Sequence, residues 1–124
     1  MTAQIIDGQA VAERIRAQIT QDVEKFKAQY GYAPGLGVVL AGDNPASQTY
    51  VRMKQNACHK AGMVSVTRTM TAQSTQAEVE SAVAEMNADP KIHGILVQLP
   101  LPKHINEEPV LRAVSLDKDV DGFH

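Results

Sequence analysis

The run Leu36-Gly37-Val38-Val39-Leu40 constrains the fold more than any other feature of the chain. It shows no alternation of apolar and polar residues. A strand of that kind is covered on both faces, as in a parallel sheet flanked by helices. The segments on either side have helical character. Upstream, Val11, Ile15, Ile19, Val23, Phe26 and Tyr30 follow one another by four or three residues. They form one apolar stripe on a helix from about Gly8 to Gln29, ended by Gly31 and Pro34-Gly35. Downstream, Asp43-Asn44-Pro45 reads as a helix start, with a capping side chain ahead of a first-turn proline. That helix should run to about Lys60, where Gly62 can end it.

The alternation then repeats. Met63 to Thr69 is a second strand candidate. Thr75-Gln76-Ala77-Glu78 fits a capping box, and Val79, Val83 and Met86 continue the helix it opens, up to Asp89-Pro90. Ile92 to Leu99 is a third strand, broken by Pro100-Leu101-Pro102. A short helix from about Glu107 to Val114 follows, and Ser115 to His124 reads as loop. This order predicts an α/β domain: a mostly parallel sheet with helices on both faces, in three α/β/α layers. Ligands of such sheets sit beyond the carboxyl ends of the strands. The segments after Leu40 and Val97, together with the tail, are therefore the places to look for chemistry.

Composition narrows the class. A chain of 124 residues suits one core, and 44% hydrophobic with 21% charged residues is ordinary globular usage. A formal charge of -2, without blocks of like charge, argues against nucleic-acid or anionic-membrane binding. The single cysteine, Cys58, excludes an internal disulfide and a Cys-based zinc site, and it reads as a small buried hydrophobe. The N-terminal residues lack the pattern of a signal peptide. The apolar runs fall short of the roughly 18 residues of a membrane helix, so a cytoplasmic protein is the default expectation.

Several residues could carry chemistry, each with a plainer alternative. Gly42-Asp43-Asn44-Pro45-Ala46-Ser47 could offer backbone N–H groups to an anion, or be a capped turn; it lacks the elements of a phosphate loop. Tyr50 and Lys54 share a helix face. Lysine in a cleft can act as a base and tyrosine can stack on a flat ligand, but a solvated lysine and a half-buried tyrosine are the commoner outcome. Gln98, at the end of a buried strand, needs partners and could hold Lys54, a ligand or backbone. Asp117, Asp119 and Asp121 followed by Gly122 match half of a calcium loop, yet the required Glu would fall beyond His124, so no metal site is expected. His59 and His104 read as exposed and His93 as a strand residue. Gly35-Leu36-Gly37 lacks the third glycine of a dinucleotide fingerprint.

Taken together, three stretches resemble the bifunctional methylenetetrahydrofolate dehydrogenase/methenyltetrahydrofolate cyclohydrolases. They are Gly42 to Lys54 with Cys58 and Gly62, Gly94 to Pro102, and Lys118 to His124, with Ile5-Ile6-Asp7-Gly8 fitting the opening. The resemblance covers the whole chain in order. It implies that Lys54 is the catalytic lysine, that Tyr50 stacks on the aminobenzoyl ring of folate and helps orient Lys54, and that Gln98 hydrogen-bonds and tunes it. Asp121 would bind the amide and amino groups of the pterin. Ser47 would support the site, and Val97, Leu99 and Pro100 would line the cleft. The implied chemistry is oxidation of 5,10-methylenetetrahydrofolate with NADP, then hydrolysis of the methenyl product to 10-formyltetrahydrofolate. One departure is Leu116, where the family usually has proline.

The same resemblance sets expectations for the parts outside the chain. Residues 1–124 would be the folate-binding catalytic domain, with the family's NADP-binding Rossmann domain absent and no cofactor-binding residues of its own. Efficient dehydrogenase activity is then not expected. The full-length family is a homodimer joined largely through the second domain, so this piece should be monomeric or weakly associated. The alternative is a non-catalytic folate-binding or interaction module.

Overall fold

A computed structural model describes residues 2–124. Their elements are α1 (Gly8–Tyr30), β1 (Gly35–Ala41), α2 (Pro45–Ala61), β2 (Val64–Met70), α3 (Gln76–Ala88), β3 (Gly94–Val97) and α4 (Glu107–Ala113). The helix boundaries follow local chemistry. Asn44 caps α2 by accepting from the Ser47 N–H at 3.1 Å, ahead of Pro45 in the first turn. Gly62 ends α2 with φ of 84°, a conformation that glycine adopts without strain. Thr75 and Glu78 close both bonds of the capping box on α3.

The strands are parallel, in the order β2-β1-β3. The unbroken apolar strand is thus the central one, which explains why both of its faces are apolar. Val39 and Ala41 face a cluster built with Val79, Val83 and Met86 of α3, Val110 of α4, and Ile95 and Val97 of β3. Val38 and Leu40 turn the other way, onto Val51 of α2 and Leu96. The chain reaches β2 on one side of β1 and β3 on the other. Such a reversal opens a crevice above the carboxyl ends of the strands, between β1 and β3.

Two expectations are corrected. The third strand spans Gly94–Val97 rather than Ile92 to Leu99. Its start is delayed because the Ile92 N–H closes a turn onto Asp89 O, at 3.2 Å. His93 therefore precedes the strand, where its Nδ1 accepts from the Gly35 N–H at 2.9 Å. At the other end the Gln98 N–H still donates to Val39 O, but Pro100 has no N–H to continue the ladder. The tail is more than a loop: Leu116–Lys118 forms a 3-10 turn, and Asp119 bridges to Ile95 in parallel, beside β3. The α1 stripe keeps its helical spacing and is largely exposed. Only Val23 of α1 is buried, while Ile15 is 55% exposed. No helix among the described residues is long and apolar enough to cross a membrane.

Candidate active site

Lys54 stands midway along α2 and Gln98 directly after β3, so the crevice between β1 and β3 brings them together. The Lys54 Nζ donates to Gln98 Oε1 at 2.8 Å. The other end of the same amide is also held, because Gln98 Nε2 donates to Leu99 O at 3.1 Å. This second bond decides which way the amide points, leaving its oxygen for Lys54. Gln98 is buried, and its backbone N–H is tied to β1, so its polar groups are partnered where burial demands it.

Ser47 is buried in the first turn of α2, with its Oγ 3.5 Å from the same Leu99 carbonyl. Its backbone N–H is already taken by Asn44. Ser47 therefore acts on the strand-end loop rather than on solvent. Tyr50 lies one turn before Lys54 and is 54% exposed, which leaves its ring face open to a flat ligand. The partner of the Lys54 ammonium is Gln98 and not Tyr50. Leu99 is partly buried against the α3–α4 cluster. Pro100 lines an adjacent hollow of about 340 Å³ with Gly42, Asp43, Asn44 and Pro102. Val97 departs from its expected place: its side chain is buried in the α3–α4 cluster, so it is core and not cleft wall.

The tail returns to the same crevice. Asp119 Oδ1 accepts from the Gly122 N–H and its Oδ2 from the His124 N–H, both at 3.0 Å. The His124 N–H bond does most to hold the Asp119 carboxyl below its ordinary range, with the Gly122 and Phe123 N–H groups and the His124 charge adding to it against desolvation. Asp119 thus shapes a turn, and that turn presents Asp121. Desolvation raises the Asp121 carboxyl; the Lys54 charge pulls it back and the Asp119 charge adds to the rise. The influence of Lys54 on Asp121 places both groups in one electrostatic neighbourhood. Among the described residues no group of three or more His, Cys, Asp or Glu side chains is placed to hold a metal ion. Cys58 is buried and burial raises its thiol pKa, which makes it a poor nucleophile.

Residue-by-residue reading missed the groups that hold the crevice walls. Glu107 Oε2 accepts from the Leu101 N–H at 2.9 Å and fixes the loop after β3. Gln76 and Asn106 exchange two bonds, at 3.0 and 2.7 Å, between the start of α3 and the start of α4. Lys118 donates to Met86 O, Asn87 O and Asp89 O, at 3.3, 2.8 and 2.9 Å. One signal for Lys118 was present: the last turn of α3 has no basic residue of its own.

The arrangement offers a lysine oriented by an amide, an exposed aromatic face one turn away and a carboxylate nearby. These can move a proton, stack a ring and accept from N–H donors, respectively. The model of the tetrahydrofolate dehydrogenase/cyclohydrolase catalytic domain matches residues 6–121. The bifunctional protein FolD of Phenylobacterium zucineum is 56% identical over 124 residues, which is 100% of this chain and 42% of that protein. A 5,10-methylenetetrahydrofolate dehydrogenase from the silkworm Bombyx mori superposes with a TM-score of 0.95 at 37% identity, over 99% of this chain and 42% of that one. The dehydrogenase-cyclohydrolase (FolD) of Trypanosoma brucei, solved with NADP cofactor and an inhibitor, superposes with a TM-score of 0.90 at 37% identity, over 96% and 41%. The chain therefore spans about two-fifths of the length of these relatives.

Proposed function

Because the chain belongs to the tetrahydrofolate dehydrogenase/cyclohydrolase family, we propose that it is a folate-binding catalytic domain whose own residues carry the hydrolytic step. That step is the conversion of 5,10-methenyltetrahydrofolate to 10-formyltetrahydrofolate. The observation that carries the reading is the 2.8 Å bond from Lys54 to a Gln98 amide whose other end is fixed.

The substrate is a cation, with its methenyl carbon bonded to two nitrogens. Water adds to that carbon and loses a proton. The bond from the carbon to one nitrogen then breaks: that nitrogen takes up a proton, the new hydroxyl gives one up to become the formyl carbonyl, and the formyl group stays on the other nitrogen, so that one proton is released overall. Lys54 is the group placed to relay these protons, and Gln98 keeps its Nζ from swinging into solvent. Tyr50 stacks on the aminobenzoyl ring and holds the carbon near Nζ. Asp121 accepts from the N–H donors of the pterin, where its negative charge strengthens each bond. Ser47 and Leu99 keep the strand-end loop, and with it Gln98, in register.

In the whole protein the preceding step is read as hydride transfer from the methylene compound to NADP. The residues here do not fit that cofactor. The β1–α2 turn has one glycine, Gly42, the first residue of α2 is a proline without an N–H, and the Ser47 N–H already bonds to Asn44. NADP thus belongs with the part of the relatives outside these residues. The domain alone is taken to be monomeric or weakly associated, and cytoplasmic.

The test is the loss of methenyltetrahydrofolate absorbance with no nicotinamide cofactor present. The chain should accelerate the decay, and Lys54→Ala should remove that acceleration by roughly 100-fold or more while the circular dichroism spectrum is unchanged. Decay at the buffer rate with both proteins would refute hydrolysis by this domain and leave a module that only binds folate.

A further inference from the structure

The bonds of Lys118 have a use that neither the fold nor the chemistry above accounts for. All three donors of an ammonium group are engaged, each by a backbone carbonyl at the carboxyl end of α3. These carbonyls lie where the i to i+4 ladder of the helix runs out; Met86 O and Asp89 O also accept the Asp89 and Ile92 N–H groups, and the negative end of the helix dipole favours a cation there. Because α3 has no basic residue in its last turn, the charge comes from the tail, about thirty residues away. The end of α3 is tied to the chain ahead of the tail as well. Asn87 donates to Ala113 O at 2.7 Å and accepts from the Ser115 N–H at 2.9 Å.

Lys118 is followed at once by the parts of the tail that touch β3. Asp119 bridges Ile95, and Val120 lies over Gly94 so closely that a Cβ there would sit 2.6 Å from Val120 Cγ1. Asp121 comes next. The tail is thus fixed at two points directly before Asp121: an ionic one on α3 and a steric one on β3.

We propose that Lys118 is a positioning residue for the folate site, which anchors the tail on the α3 carboxyl terminus so that Asp121 is presented beside Lys54. This rests on the reading that Asp121 binds the pterin. Lys118 touches no substrate; it acts through Asp121. A lysine that merely stabilised α3 would lower the melting temperature but would not change affinity in the folded protein.

Calorimetric titration with tetrahydrofolate, on the full chain, separates these roles. Asp121→Ala tests the underlying reading and should weaken binding by roughly 10- to 100-fold, the range for a hydrogen bond to a charged group. Lys118→Met should weaken binding by about 10-fold in the parent and by less than about twofold in the Asp121→Ala background, the signature of a shared pathway. Lys118→Arg, which keeps charge and donors, should restore affinity to within about threefold of the parent. Gly94→Ala gives a second route should Lys118→Met not fold, because it lifts Val120 without touching Lys118; it too should lose affinity only while Asp121 is present. Parent-like affinity in Lys118→Met and Gly94→Ala, beside a clear loss in Asp121→Ala, overturns the positioning role and leaves the Asp121 reading intact. Unchanged affinity in Asp121→Ala overturns the reading itself. Equal losses from Lys118→Met with and without Asp121 would show that Lys118 acts by another route, and would also overturn the proposal.

Discussion

The two sides of the sheet are built differently. On one side α3 and α4 close over a continuous cluster that runs from Val39 through Val83, Ile95 and Met86 to Val114. On the other, the buried cluster consists of Val38, Leu40, Val51 and Leu96, and α1 packs on α2 while its own apolar stripe stays open. The candidate site pair meets on the thin side. Strand parity turns Val97 into the thick layer and Gln98 the other way, toward α2, where it accepts from Lys54. The Gln98 backbone is tied to β1, and Leu99 beside it packs on the thick layer, so a strand end held from the thick side positions a group in the thin one.

The largest effect should come from the thick side. Ile95→Ala removes a fully buried side chain, and such truncations cost about 2–5 kcal/mol, a large share of a small domain's stability. Ile15→Ala on the open face of α1 should change stability by no more than about 0.5 kcal/mol. Urea unfolding of both variants checks the asymmetry, and equal losses would break it. Next in size is the capping box. Thr75→Ala should cost about 1 kcal/mol by the same measurement. A similar cost for Asn44→Ala would show that the two sides differ in their packing and not in their helix ends.

A smaller, pH-dependent contrast lies within the tail. The Asp119 carboxyl is held below its ordinary range by backbone N–H groups, so what it contributes to stability is present above its unfolded value and fades as pH falls through the lower folded one. Asp121 is raised, so the sign reverses: its contribution is present at low pH and is lost as pH rises through the folded value. Tetrahydrofolate binding that uses the ionised Asp121 should weaken as pH falls through that raised value. Asp121→Asn should remove this acid limb, and Asp119→Asn should not. Smallest of all, the buried and raised Cys58 thiol should alkylate with iodoacetamide much more slowly than a free thiol at neutral pH, and denaturant should abolish the difference.

Much of this was legible in the residues. The unbroken apolar run located the central strand because burial on both faces removes alternation. The caps at Asn44 and Thr75 located helix starts because their bonds span only three residues. Lys54 and Tyr50 could be placed on one face by helical spacing alone. The hydrogen bond of Gln98 to Lys54 spans 44 residues, and that of Lys118 to Asn87 spans 31; no local pattern encodes such contacts. Val97 misled for a related reason. The family resemblance put it on the cleft, but the parity of the strand turns its side chain into the core. The stripe of α1 gave the helix but not its surroundings, since helical period reports which residues share a face and not what covers it.

The central claim is that Lys54 and Gln98 work as one unit on the thin side of the sheet. Its most direct test is the decay of methenyltetrahydrofolate absorbance, without nicotinamide cofactor, in Gln98→Leu, Lys54→Ala and the double variant. The account predicts that Gln98→Leu slows the decay by about 10-fold in the parent and has no further effect once Lys54 is gone. A Gln98→Leu variant that hydrolyses as fast as the parent, or that loses activity to the same degree with Lys54 already removed, would contradict it.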